Sequence, residues 1–368
     1  MAGENQVMNP IGISRLGAVN VTGADKDALF LKVFSGEVLQ VFEENNALLP
    51  LVRQRTISSG KSAQFPVTGV ATAKYHTPGE SIMASGTDGS DPADGVLDTS
   101  KYLTQMKHTE RVISIDGMLV SSAFIGDIDE AKNHYDVRSA YSTQIGRELA
   151  YHADKALIRT CIAGARKSTD RFGGSDAKFL GDQVALDTDS PVDGVQGDEI
   201  VTGLFTVAQK MDEASVPADG RYCVLSPANY YKLVNTASDS VLRAINRDFG
   251  NEGNGSIARG EIVQVAGLRI LKSNHIPSAN ESSSQDAVLG DDLINNDVFT
   301  ADGGYSGANF TTTEGVCFQT EGMGTVKLLD LAMESEYQLD RLGTLMVAKY
   351  AMGHGILREE CCFELTTA

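Results

Sequence analysis

The sequence predicts an α+β protein, and three features carry that prediction. One is a long helical pattern without proline, one is a long two-stranded excursion, and one is a pair of consecutive strands near the C-terminus. The helix opens at Asp127, a good N-cap with Glu130 three residues on, as in a capping box. Apolar or aromatic residues then recur at helical spacing from Ile128 through Tyr135, Tyr141, Ile145, Leu149, Ala153, Leu157 and Cys161. A helix from 128 to about 163 is roughly 54 Å long at 1.5 Å per residue. It has no sustained heptad, so it reads as a structural spine and not as a coiled coil.

The excursion runs from residue 51 to residue 111. Its first half carries Arg53, Arg55, Lys61 and Lys74, with no Asp or Glu between Asn45 and Gly79. From Glu80 to Asp98 the balance reverses, with five acids and no Lys or Arg, and the turn-forming stretch 84–95 lies inside that run. Two-stranded ribbons are marginal in water, so a ribbon this long is expected to lie on another surface, such as a neighbouring subunit. Near the C-terminus, Leu331, Met333, Ser335, Tyr337 and Leu339 alternate with Ala332, Glu334, Glu336, Gln338 and Asp340, a period of two. "LGTLMVAKYAMGHG" follows as a more buried strand, turned by Gly353-His354-Gly355, and "CCFEL" closes the chain.

Between these features, residues 1–25 form a small, polar arm, followed by helical pieces up to Pro50. "TERVISID" (109–116) is a strand, and 165–197 is a glycine- and aspartate-rich loop. Residues 198–324 alternate: a helix from Asp198 to Ser215, a strand Arg221–Leu225, a helix after Pro227, and a strand Glu261–Ser273. Gly267 interrupts that last strand and marks a bulge or a close approach.

Composition bounds the function. The chain has 368 residues, 42% of them hydrophobic, enough for a sizeable core. No run approaches the roughly 20 apolar residues of a membrane span. The start, Met-Ala-Gly-Glu-Asn-Gln, has no basic or apolar leader pattern, so secretion is not expected. Five cysteines without a Cys-x-x-Cys point to reduced thiols and not to a disulfide framework or zinc site. A net charge of −18 argues against a free-standing nucleic-acid binder.

Motifs for catalysis fail on spacing or setting. Gly60-Lys61-Ser62 ends like a phosphate-binding P-loop, but that loop needs glycine where Arg55 stands and a helix where Pro66 follows. The tripeptide reads as a turn, with Gly60 supplying the permissive backbone. Glu130 with His134 and Glu148 with His152 each share a helix face, but the pairs are about 27 Å apart and cannot hold one ion. Ordinary ion pairs are expected. His354 between glycines is a candidate exposed general base, and Cys361-Cys362 a candidate redox pair, yet adjacent thiols in a strand face opposite ways. No catalytic residue, cofactor or metal site is assigned. An assembling structural protein explains the arm, ribbon and spine together.

The blocks "ALFLKVFSGEVL", "ISSGKSAQFPV", "KHTERVISIDGML", "DIDEAKNHYDVRSAYSTQIGREL" and "GTVKLLDLA…AKYAMGHGILR" resemble the major capsid protein family of T7-like short-tailed phages, the autographiviruses. They run in the family's order from about residue 25 to residue 358. The resemblance implies the HK97-like phage capsid fold. It divides the chain into an N-terminal arm (1–50), an extended E-loop (51–111) and a P-domain with the spine helix (112–194). An A-domain (195–324) and the P-domain's C-terminal strands (325–368) complete it. It further implies hexamers and pentamers of the chain closing an icosahedral head, with a scaffolding protein, a portal protein and packaged double-stranded DNA as partners and no membrane. Assembly would take place in the host cytoplasm, with the mature protein in the virion. Segments 84–100 and 279–312 depart from the family pattern. An encapsulin-like compartment is the alternative with the same fold. Within this picture Arg53, Arg55, Lys61 and Lys74 become inter-subunit charges on the E-loop that meet an acidic neighbour, with phosphates of packaged DNA as the rival use.

Overall fold

In a computed structural model, residues 48–69, 108–128, 137–170, 176–186, 195–234, 264–281 and 307–367 are described, with a few single positions between them. Two sheets, one ribbon, one long helix and two shorter helices are the main elements of this part. The helix α1 (Val137–Ala165) packs on a different core along each of its halves. Its middle, Ile145, Leu149 and Ala153, packs on Ala348, Tyr350 and Met352 of one sheet. Its C-terminal half, Leu157, Ile158, Cys161 and Ile162, packs on Val316, Phe318 and Cys362 of the other. One rod thus bridges two cores, as a spine must. Residues 129–136, which hold the predicted start of that helix, lie outside the described residues.

The four-stranded sheet has the order β1-β10-β11-β4, built from β1 (Arg53–Thr56), β4 (Leu119–Gly126), β10 (Met323–Gln338) and β11 (Gly343–Ile356). The long hairpin β10–β11 is the period-two pair predicted near the C-terminus. Gly353-His354-Gly355 does not turn the chain, as the sequence suggested. It stays within β11, opposite Val326, Thr325 and Gly324. Glycine is needed at 355 for a different reason: a Cβ there would sit 2.9 Å from Ile113 Cγ1. Gly355→Ala is therefore expected to overpack this junction and destabilise the protein by about 1–3 kcal/mol, read as a lowered thermal midpoint.

The ribbon pairs β2 (Ser62–Thr68) with β3 (His108–Ser114) in antiparallel register from Ser62↔Ser114 to Thr68↔His108. Its inner face, Ala63, Phe65, Ile113 and Ile115, packs on Val326, Ala351 and Leu357. The acidic loop 84–100 lies outside the described residues.

The six-stranded sheet has the order β5-β12-β9-β6-β8-β7. Its strands are β5 (Asp182–Ala185), β6 (Arg221–Leu225), β7 (Gln264–Val265), β8 (Leu268–Lys272), β9 (Thr313–Gln319) and β12 (Cys362–Thr366). α2 (Gly197–Glu213) lays Ile200, Leu204, Val207 and Met211 on it, against Leu225, Phe363 and Leu365. A capping box at Gln196 and Glu199 starts α2, and α3 (Pro227–Val234) follows β6 as predicted. Two expectations change. The predicted strand Glu261–Ser273 is a hairpin across residues 264–272, because Ala266 (φ 51°) and Gly267 (φ 80°) both hold positive φ in a two-residue turn. That is the primed turn geometry that matches strand twist, and Gly267 marks neither a bulge nor a close approach, since a Cβ there meets nothing within 4 Å. The loop predicted over 165–197 contains β5, which pairs in parallel with β12 from the far end of the chain.

Candidate assembly surface

β1 exposes all four of its residues, so Arg53 and Arg55 point away from the core. Arg55 is held in place. Its Nη1 donates to Gln64 O at 2.6 Å, and its guanidinium stands 5.7 Å from the Phe65 ring centre. The turn that follows has Gly60 at φ 116°, the permissive conformation expected of it. Lys61 is exposed, and its carbonyl accepts from Ile115 N–H at 2.7 Å, which staples the turn to β3. Strand β2 follows Lys61, so no helix N-terminus exists there to hold a phosphate. The structure thus places Arg53, Arg55 and Lys61 on successive pieces of the ribbon base. Lys74 lies outside the described residues.

Exposed apolar side chains accompany these charges. Val112 sits on the outer face of the ribbon, and Tyr75, Ile82 and Met106, which lie between its two strands in sequence, are exposed. At the other end of the four-stranded sheet, Leu339 and Leu342 are exposed at the tip of the β10–β11 hairpin. The acidic counterpart is on the same hairpin: Asp330, Glu334, Glu336 and Asp340 are all exposed. β1 covers the outer edge of β10 only from Gly324 to Lys327. Among the described residues, nothing pairs with that edge beyond Lys327. A long strand edge is a template for another chain, and its acids restrict what can add there.

Buried carboxylates that sequence reasoning passed over hold segments of the body together, and one of them, Glu359, also holds the ribbon. Glu359 accepts from Arg111 of β3 and from Lys167 just after α1, the latter at 3.2 Å. Glu364 in β12 takes both arms of Arg166 at 2.7 and 2.6 Å, the Thr313 hydroxyl at 2.6 Å and Gln183 Nε2 at 2.8 Å. Glu360 accepts from Arg358 Nε at 2.9 Å. All three acids are almost completely buried. The available signal was "REECCFEL", where acids interrupt an otherwise apolar closing strand. Buried acids require partners: Arg111, Lys167 and Arg166 supply them from distant segments, and Arg358 from two residues away.

The catalytic candidates do not assemble. His354 is buried, contrary to the exposed base its glycine flanks suggested. Its Nδ1 lies 2.9 Å from Thr325 Oγ1, and its backbone N–H donates to the Tyr305 hydroxyl at 2.9 Å. Burial, with help from Lys327, pushes its pKa down to about 4. Glu148 and His152 form the expected i,i+4 pair at 3.3 Å, while Glu130 and His134 lie outside the described residues. None of the five cysteines is in a disulfide and all are buried, with Cys361 and Cys362 in different apolar clusters, as opposed faces require. Among the described residues no group of three or more His, Cys, Asp or Glu is placed to hold a metal ion, and no helix is long and apolar enough to cross a membrane.

A family described as "Gp10A-like: Major capsid protein" matches residues 64–366. The chain belongs to this family. As a major capsid protein it forms capsid, and its relatives agree in length as well as in sequence. It is 33% identical over 352 residues to the major capsid protein of Escherichia phage T7, covering 92% of each chain. It is 33% identical over 357 residues to the major capsid protein of Enterobacteria phage T3, covering 92% of this chain and 91% of that one. The capsid structure of Cyanophage P-SCSP1u superposes with a TM-score of 0.70 at 39% identity, covering 96% of this chain and 98% of that one. The fold is therefore that of phage capsid proteins, and the encapsulin-like alternative is not favoured. Arg53, Arg55 and Lys61 precede the segment that the family match spans, so their use is argued from this chain's own geometry.

Proposed function

We propose that this capsid protein closes an icosahedral head as rings of six and of five copies around double-stranded DNA, and that its ribbon is the element that couples neighbouring copies. The supporting observation is the ribbon itself: one face packs on its own sheet, while Val112, Tyr75, Ile82 and Met106 stay exposed. An isolated two-stranded ribbon is marginal in water, and a second copy supplies the missing surface. Residues 1–50 act as the N-terminal arm and 51–111 as the E-loop in this reading. Residues 112–194 and 325–368 then form the P-domain and 195–324 the A-domain. A scaffolding protein and a portal protein serve as assembly partners in the host cytoplasm, and the role is structural and not enzymatic. Head-to-tail contacts of this kind close into rings when the rotation fits. Individually weak contacts suffice, because each copy makes several.

The basic base of the ribbon fits the exposed acids of a neighbouring β10, which sets docking and register more than raw affinity. The double variant Arg55→Glu, Lys61→Glu is expected to remain folded by circular dichroism but to lose shells in electron micrographs of the expressed protein. Adding Glu334→Lys and Glu336→Lys is expected to restore them in part. Normal shells from the double variant, or shells that form but fail only to hold DNA, refute the inter-subunit role. In the second case the charges serve phosphates.

A further inference from the structure

Two of the buried thiols have a geometry that packing alone does not require. Cys223 of β6 stands directly opposite Cys317 of β9 in the middle of the six-stranded sheet. Their place in the ladder follows from one bond, Thr320 N–H to Gly220 O at 3.1 Å. Narrow and wide pairs alternate along antiparallel strands, so 220/320 is a hydrogen-bonded pair and 223/317 is not. At such a position the Cα atoms approach to about 4.5 Å, the closest an antiparallel ladder allows. That lies within the span of roughly 4.4–6.8 Å that a disulfide bridges without moving the backbone. Both side chains also turn to the same side, into the core beneath α2. The two thiols share a hydrogen bond, which together with the larger effect of burial holds Cys317 above its ordinary pKa.

We propose that Cys223 and Cys317 are a latent cross-strand disulfide, closed by exchange with a low-molecular-weight disulfide. One cysteine, as thiolate, attacks a sulfur of the small disulfide, and the first small thiolate leaves and takes up a proton. The second cysteine loses its proton to solvent and attacks the protein sulfur of the mixed disulfide, releasing the second small thiol. The protein loses two electrons and two protons, and one small disulfide becomes two thiols. The bond is latent because both sulfurs are fully buried, and only a thiolate attacks. Exchange therefore waits for β9 to part from β6, a local opening. Once made, the bond welds the centre of the sheet across a long loop of chain. This inference does not rest on the role proposed for the ribbon.

The test incubates the full chain with oxidised glutathione a few degrees below its thermal midpoint, then alkylates free thiols in denaturant and maps the peptides. Three of the five cysteines are expected to be alkylated, with one linked peptide pair joining Cys223 to Cys317 and dithiothreitol restoring all five. The oxidised protein is expected to melt several degrees higher than the reduced one. Cys161→Ala is expected to retain the link and Cys317→Ala to lose it. Cys161 is the competitor to exclude, since it hydrogen-bonds with Cys362. Five alkylated thiols, or a link between Cys161 and Cys362, overturns the proposal. Mapping of the unaltered chain decides the matter even where a variant fails to fold.

Discussion

Acidification from pH 7 to pH 4 is expected to remove about 3 kcal/mol of folding stability through one side chain, His354. In the folded protein its imidazole is held at a pKa of about 4, chiefly by burial and secondarily by Lys327. In the unfolded chain it returns to about 6.5. Between those values the unfolded state binds a proton that the folded state refuses. Stability therefore falls as pH drops from 6.5 towards 4, and this contribution levels off below 4, where both states are protonated. Both burial and the Lys327 charge disfavour the charged ring. Nδ1 is engaged by Thr325, and Asp116 is already occupied by the Tyr305 hydroxyl at 2.6 Å. The measurement is denaturant unfolding of dissociated subunits at several pH values, beside His354→Gln. The variant removes the titrating group, so its stability is expected to change less across that window. Parallel curves for the two proteins would sink this account. The consequence for the shell is local. His354 sits opposite Thr325, where β10 and β11 carry the ribbon base, so its protonation loosens the platform from which the ribbon extends.

Glu364→Ala is expected to cost about 3 kcal/mol, the lower end of the range for breaking a buried ion pair. The carboxylate is fully buried, while the Arg166 side chain keeps 21% of its surface in water, and that exposure moderates the loss. Removing the acid leaves the guanidinium with only its bond to Asn309 O and a longer one to Thr313, and it strips Gln183 of an acceptor. The pair itself need not be favourable, because both charges left water to form it. Changing both partners to apolar residues of similar size, Arg166→Met with Glu364→Leu, is therefore expected to recover most of the loss. Urea midpoints of the two single variants and the double variant decide it. A single variant within 1 kcal/mol of the parent, or a double variant as unstable as the sum of the singles, contradicts the argument. Because β12 carries Glu364 between β5 and β9, the damage falls on the six-stranded sheet and not on the ribbon.

Patterns that depend on neighbours in sequence were legible. The 3.6-residue period of α1, the helix α2, the strand Arg221–Leu225 and the extended run of β10 all follow from local spacing. So did the charge imbalance that singled out Arg53, Arg55 and Lys61, and the turn at Gly60. Patterns that depend on a distant partner were not. β5 looked like loop because a four-residue strand has no signal until β12 pairs with it. β1 was expected to continue into the ribbon, yet its hydrogen bonds go to β10, some 270 residues later. His354 looked exposed because glycines flank it, and only the closeness of Tyr305 and Thr325 explains why it is enclosed.

The amino-acid order by itself determined the class of fold, the spine, the hairpin and the family, because helix and strand periods and contiguous sequence blocks are written in neighbouring residues. Tertiary structure alone decided which strand edges stay open, which acids are buried against which arginines, and which two of five thiols face each other. Those are relations between segments far apart in the chain, and burial fixes them only after the sheets have closed.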